Sequence, residues 1–187
     1  PLMNIKLLLS TTFIVVSLTV SAQDAGKTFA ITGAGNHDFM WMNIRQVDLN
    51  SGLISKSLFE RSKTNYTITN VETKAVANQT AIAEGNIYVP STYPTATFVA
   101  AAAFDKRSDK LFFIPMRMNE LRWVDVSARG TEPKFYSISS NILPASQHND
   151  EGLNITRMTI GADRNGYAIT NDGNHLIRFT TGKKPVI

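Results

Sequence analysis

The sequence predicts an all-β fold assembled from a repeated four-stranded antiparallel meander. Three observations predict it: a nine-residue stretch that occurs twice, Arg-bearing strands that follow each copy, and apolar runs without clean alternation, separated by short polar turns. Residues 29–37, FAITGAGNH, and residues 167–175, YAITNDGNH, agree at Ala, Ile, Thr, Gly, Asn and His, with an aromatic at the head of each. Downstream, IRQVDLNSG at 44–52, LRWVDVSARG at 121–130 and IRFTTG at 177–182 each give an aliphatic residue, an Arg, a strand-like continuation and a Gly turn. Self-similarity of this kind is the mark of a repeat architecture.

The elements follow in order. In the middle copy LFFIP at 111–115 stands where FAIT and YAIT stand, and AAFDKRSDKLFFIP at 102–115 matches IGADRNGYAIT at 160–170 in pattern. Asp105 and Asp163 set a period of 58 residues. Each unit opens on an apolar run, 99–104 or 158–162, then takes a polar turn, a β-rich strand, a second turn and an Arg-bearing strand. A Gly turn and a last strand such as FYSI at 135–138 complete the meander. Apolar residues on both sides of these strands imply sheets sandwiched between neighbours.

A repeated four-stranded sheet of this length resembles a β-propeller blade, whose faces are buried against the blades on either side. The resemblance spans nearly all of residues 27–187 and is to an architecture, without the Gly-His and Trp-Asp signature of WD repeats. It implies an all-β, β-propeller-like fold with about three blades, short of the roughly four to eight of closed propellers. The first copy enters at Lys27 with a blade's second strand, and the last ends at Pro185, Val186 and Ile187 inside its outermost strand. The chain is therefore expected to be the N-terminal part of a longer protein. A β-sandwich or open meander shares the short strands and turn spacing, and the 58-residue period argues against it.

Two stretches interrupt the repeat. Residues 61–97, rich in Thr, Asn and Ala, lengthen the Arg45-to-Arg122 spacing and read as a surface connection, a decorated strand pair or a binding loop. Residues 139–154 contain His148, Asp150 and Glu151, without fixed metal-ligand spacing.

Residues 1–22 read as a secretory signal peptide: Lys6, the apolar run 7–20, then Val20, Ser21 and Ala22 before Gln23. The run is too short and too rich in Ser and Thr for a span of about 20 apolar residues. The expectation is a secreted or periplasmic domain, 23–187, with no stable membrane span after cleavage. Its absence of cysteine excludes disulfides, thiolate metal sites and cysteine catalysis, so stability must come from a packed core. Three sequons, at Asn65, Asn78 and Asn154, serve as surface hints. Without Lys6 the chain carries 18 basic and 15 acidic residues, scattered rather than striped, which speaks against nucleic-acid binding.

FAITGAGNHDF at 29–39 has the look of a strand entering a dinucleotide-binding glycine turn. That turn needs a third Gly for close helix packing, and Asp38 stands there, a carboxylate where an anion should approach. FMWMNIRQVDL at 39–49 would pass as a helix alone, yet its repeat partners ELRWVDV and HLIRFT read as strands. No nucleophile elbow, zinc helix, P-loop or calcium loop is present. DRNG at 163–166 and NDGN at 171–174 read as turns in which Asn, Asp and Gly supply left-handed backbone.

The remaining candidates are His37 and His175, preceded by Asn36 and Asn174, which a propeller would bring to one face. Two imidazoles there suit acid and base work near neutral pH, but without a third ligand or an orienting carboxylate they assign no metal, cofactor or catalytic role. Arg45, Arg122 and Arg178 are expected to pair with carboxylates or carbonyls. Two function classes follow: a non-catalytic exported module for a protein or glycan ligand, and a propeller hydrolase or lyase using the face of His37 and His175.

Overall fold

The computed structural model describes residues 26–35, 40–61, 63–79, 93–96, 98–118, 120–127, 130, 132–138, 142–143 and 150–187. Residues 1–22, expected to form a signal peptide, and Asn36, His37 and His148 lie outside the described residues. In chain order the strands are β1 (Thr28–Thr32), β2 (Asn43–Val47), β3 (Ile54–Phe59), β4 (Tyr66–Asn70), β5 (Val76–Gln79) and β6 (Ala102–Asp105). Then come β7 (Lys110–Phe113), β8 (Leu121–Asp125), β9 (Lys134–Ile138), β10 (Ile155–Ile160), β11 (Asn165–Thr170) and β12 (Leu176–Thr180). A 3-10 turn, Glu151–Leu153, precedes β10, and no α-helix occurs among the described residues. The fold is all-β, in three sheets ordered β1-β2-β3, β5-β4-β9-β8-β7-β6 and β10-β11-β12. They are open layers, not closed into a ring among the described residues.

β2 settles the stretch that by itself passes as a helix. Asn43–Val47 pairs antiparallel with β1 on one side and β3 on the other, so this part of the stretch is strand rather than helix. The four-stranded meander expected over 99–138 is present as β6-β7-β8-β9 in unbroken antiparallel register.

Local turn chemistry explains why the chain reverses where it does. Asp48, Asn70, Asp105, Asp125, Asp150, Asp163 and Asp172 each accept the backbone N–H two residues on, at 2.7–3.2 Å. An Asx side chain that closes its own turn offers the backbone an alternative to continued extension. Gly173 (φ 75°) supplies the left-handed residue of NDGN as expected, but in DRNG that residue is Arg164 (φ 68°), not the glycine.

The core lies on both faces of the central sheet. On one, Leu111, Phe113, Val124 and Phe135 pack with Ile44, Leu58 and Phe59 of the first sheet; on the other, Phe112, Leu121, Trp123 and Ile138 pack with Ile155, Ala168, Ile177 and Phe179 of the third. Ring contacts cross both seams: Phe59 to Phe135 at 5.9 Å and Phe112 to Phe179 at 5.2 Å. Every residue of β7 is buried, which is why its sequence does not alternate. β6 also runs beside β10, so the second and third sheets approach along the strands that open each meander.

Cross-strand register corrects the alignment of the middle copy by one residue. Phe29 and Ile31 face the sheet that follows in the chain, as do Phe112 and Ile114, whereas Leu111 and Phe113 face the sheet that precedes. FFIP at 112–115, rather than LFFI, is therefore the counterpart of FAIT. A one-residue slip turns every side chain to the opposite face, and an apolar run without alternation gives no signal to prevent it. The same register separates the three arginines: Arg45 lies opposite Ala30 and Arg122 opposite Phe113, but Arg178 lies opposite Tyr167, one step out of phase.

The stretch 61–97 is in part a strand pair. β4 and β5 form a hairpin that extends the central sheet to six strands, with β4 parallel to β9. Further on, Thr95 and Ala96 are fully buried, and Thr95 Oγ1 donates to Met42 O at 3.0 Å. This segment ties the first sheet to the second.

Gly166 is required by packing. It lies directly across from Phe179, and a Cβ there would collide with the Phe179 ring, which is itself wedged against Phe112. Gly166→Ala is expected to lower unfolding stability by about 1–3 kcal/mol, the usual cost of overpacking. Gly182→Ala, which meets nothing within 4 Å, should stay within about 0.5 kcal/mol of the parent; urea unfolding of the two variants checks the contrast.

Candidate functional site

One rim of the stack is built from the connections that lead into the Arg-bearing strands. Val99 N donates to Trp41 O (3.1 Å), Met116 N to Phe98 O (2.9 Å), Asn171 N to Asn154 O (2.8 Å) and Asp172 N to Gly152 O (3.0 Å). Arg117 N donates to Asn154 Oδ1 at 2.9 Å, and its guanidinium lies 3.8 Å from Glu151. A backbone bond from Val99 to Trp41 ties the first sheet to the second, and the Asn154 side chain with the Glu151–Arg117 pair ties the second to the third. The rim holds Trp41, 48% exposed, together with Arg117, Asn174 and His175. Arg117 is in the left-handed region at φ 60°, a conformation costly for a non-glycine residue.

Of the four sequence-chosen residues the described part contains two. Asn174 and His175 sit in the turn between β11 and β12. Thr170 N donates to His175 O (3.2 Å), His175 N to Thr170 Oγ1 (3.1 Å) and Gly173 N to Thr170 O (3.0 Å). Asp172 accepts the Thr170 hydroxyl at 2.5 Å, then Asn174 N at 3.0 Å and Asn174 Nδ2 at 2.9 Å. Asn174 is thus spent on closing the turn. The Thr170 hydroxyl, then the Asn174 N–H groups and the nearby His175, hold the Asp172 carboxyl below its ordinary pKa. A carboxylate does stand near His175, which the paired-His pattern missed although the Asp in NDGNH signals it. Its lone pairs, however, are directed to the turn.

The other carboxylates of this rim are occupied too. Asp150 caps the 3-10 turn through Gly152 N, and Glu151 faces Arg117. No group of three His, Cys, Asp or Glu fit to hold a metal occurs among the described residues. A concavity of about 490 Å³ lies against Lys74, Lys183, Lys184 and residues 185–187, and neither Asn174 nor His175 lines it.

The arginines divide by burial. Arg122 is 3% exposed: Nε and Nη2 donate to Glu120 Oε2 at 2.9 and 2.8 Å, and Nη1 to the carbonyls of Tyr93 and Pro94 at 2.9 and 2.7 Å. It is the latch that holds residues 93–96 against β8. Tyr66, packed near Tyr93, has its hydroxyl pushed up to about 12 by burial and the Tyr93 charge, with Arg122 pulling the other way. Arg45 donates to Thr32 Oγ1 at 3.0 Å and faces Glu60 at 3.6 Å. Arg178 is exposed. Asp163, exposed, is held down to about 2, first by the Tyr167 hydroxyl and then by Asn165.

No family model matches the chain, and no curated protein matches it. Among solved structures it is similar to a luciferin-regenerating enzyme, with 13% identity and a TM-score of 0.35 over 78% of this chain and 42% of that one. The chain thus spans less than half the length of that protein. A likeness at this level fixes neither fold nor activity.

Two outcomes test the division of roles. Arg122→Met should cost about 3 kcal/mol, the low end for breaking a buried charge pair, because Glu120 and two carbonyls lose their donor; Arg178→Met should fall within about 0.5 kcal/mol. The Asp163 carboxyl should titrate near about 2 by carboxyl-carbon NMR, and move up in Tyr167→Phe. With its folded pKa below the unfolded one, its stabilisation is complete above the ordinary carboxylate range and is lost as pH falls toward about 2.

Proposed function

We propose that the chain is an exported β-propeller module that binds a protein or glycan surface through the rim carrying Trp41, Arg117 and His175, without a catalytic set of its own. Export rests on the N-terminal pattern of residues 1–22. The propeller reading is supported by sheets stacked in the same strand order, by a central sheet buried on both faces, and by the approach of β6 to β10. In such a stack the opening strands converge on an axis and the later ones splay outward. The rim of connections, loops positioned by a rigid scaffold, is where recognition residues belong.

The observation that carries the binding reading is the state of the aspartates. Each of the seven described ones is engaged: six close turns and Asp109 accepts Lys27 at 2.8 Å. A general acid or base needs a free carboxyl or imidazole aimed at substrate, with a partner that orients it. Exposed Trp41 and half-buried Arg117, paired with Glu151, suit a sequence-tolerant surface contact instead, since Trp and Arg anchor interfaces more often than most residues.

The competing reading, a hydrolase or lyase at His37 and His175, draws on Asp172 beside His175. Metal content after purification without chelator separates the two. The binding reading expects none above background, and expects Trp41→Ala to weaken capture on a glycan array or a protein partner about tenfold. Stoichiometric divalent metal that disappears in His175→Ala would sink it in favour of the enzyme.

A further inference from the structure

Two connections of the rim share a methionine pattern: MWMN at 40–43 and MRMN at 116–119 both stand just before or at the start of an Arg-bearing strand. Val99 N donates to Trp41 O and Met116 N to Phe98 O, so both segments hang on adjacent residues, 98 and 99. In the first, Met42 N donates to Met40 O at 3.0 Å, a three-residue reversal with exposed Trp41 at its apex. The two flanking sulfurs meet one donor. Arg61 Nη1 lies 3.7 Å from Met40 Sδ and 3.6 Å from Met42 Sδ.

The guanidinium is carried there on a fixed backbone. Arg61 N donates to Asn43 Oδ1 at 2.8 Å, and Asn43, buried, donates in turn to Gly33 O at 3.1 Å. Met42 is fixed as well: its carbonyl accepts the buried Thr95 hydroxyl, and it is 3% exposed. Met40 is half-buried, open to a molecule as small as hydrogen peroxide. Met118 and Met158 are half-buried too, and neither sulfur accepts a hydrogen bond among the described residues. In a chain without cysteine the thioether is the side chain most readily oxidised.

We propose that Met40 is a site of oxidation to methionine sulfoxide by hydrogen peroxide, with Arg61 as the residue that positions the oxidant and then holds the product. Met40 Sδ attacks one peroxide oxygen and the O–O bond breaks. Arg61 Nη1 donates to the departing oxygen, where negative charge develops. The departing hydroxide takes the proton of the transferred hydroxyl and leaves as water. Sulfur loses two electrons, the peroxide gains them, and the guanidinium stays protonated throughout. The new sulfoxide oxygen, a far stronger acceptor than the thioether, takes the Nη1 hydrogen bond. The site stands on this geometry and is independent of what the rim binds.

Mass spectrometry of peptides from the folded chain, sampled over time in dilute peroxide, ranks the methionines. Met40 should oxidise about tenfold faster than Met118 and Met158, the worth in rate of one hydrogen bond to a charged group. In Arg61→Gln the Met40 rate should fall to theirs while theirs stay put; Met42 should remain protected in both chains, which checks the fold. Because the donor fixes the direction of attack, one sulfoxide epimer should predominate, read by which of the two epimer-specific methionine sulfoxide reductases restores the thioether. Met40 oxidising no faster than Met118 and Met158 overturns the proposal. So does a Met40 rate that Arg61→Gln leaves unchanged or raises while Met42 is still protected. An Arg61→Gln chain in which Met42 reacts has lost its fold, and the epimer ratio in the parent then decides: an equal mixture overturns the proposal.

Discussion

Everything else in the structure depends on a central sheet whose middle strands, β7 and β8, are buried on both faces. Phe112 and Trp123 point one way, Phe113 and Phe135 the other, and the flanking sheets exist as layers because they cover them. Fully burying a large apolar side chain is worth about 1.5–3 kcal/mol, and here both registers of each strand contribute. With no cysteine in the chain, no crosslink substitutes for that burial. The constraint reaches into details: Gly166 has no side chain because Phe179 occupies the space over it while reaching Phe112.

Burial on both faces also requires that the strand ends be fixed without help from the core. The Asx turns do this locally, and the bonds from Val99 to Trp41 and from Arg117 to Asn154 do it between sheets. Arg122 does it from inside, trading solvation for four hydrogen bonds to Glu120, Tyr93 and Pro94. A buried guanidinium is favourable only when its donors are satisfied this fully. The same residue type at 45 is half-buried with fewer partners, and at 178 it is exposed. Likeness of sequence position therefore does not imply likeness of role.

That divergence marks how much was legible in the residues. The strands were, because FAIT, YAIT and IRQV are β-branched or aromatic and bounded by Gly, Asn and Asp, and the sandwiched sheet was, because KLFFIP lacks alternation. The face of each strand was not. In an all-apolar run the period-two signal vanishes, so LFFI and FFIP fit equally well until cross-strand partners are known. A strand pair in 61–97 was one of the readings the sequence allowed, but its parallel pairing with β9 was not legible, because it joins residues far apart in sequence, which no local pattern announces. Arg117 and Trp41 escaped because their place on the rim is a tertiary property.

The repeated NH dipeptide is the clearest case of sequence identity without chemical identity. In the third sheet the turn is organised by Asp172, which accepts Thr170, Asn174 N and Asn174 Nδ2 and stands near His175. The corresponding residue of the first copy is Ala34, which has no carboxylate to offer, and the residue matching Thr170 is Thr32, whose hydroxyl accepts Arg45 instead. Retention of Thr, Gly, Asn and His in both copies is better accounted for by the turn, where Thr170, Gly173 and Asn174 each make a bond that reverses the chain. The conserved pattern between the copies thus encodes how the strand ends, and the chemistry of the rim rests with residues that differ between them.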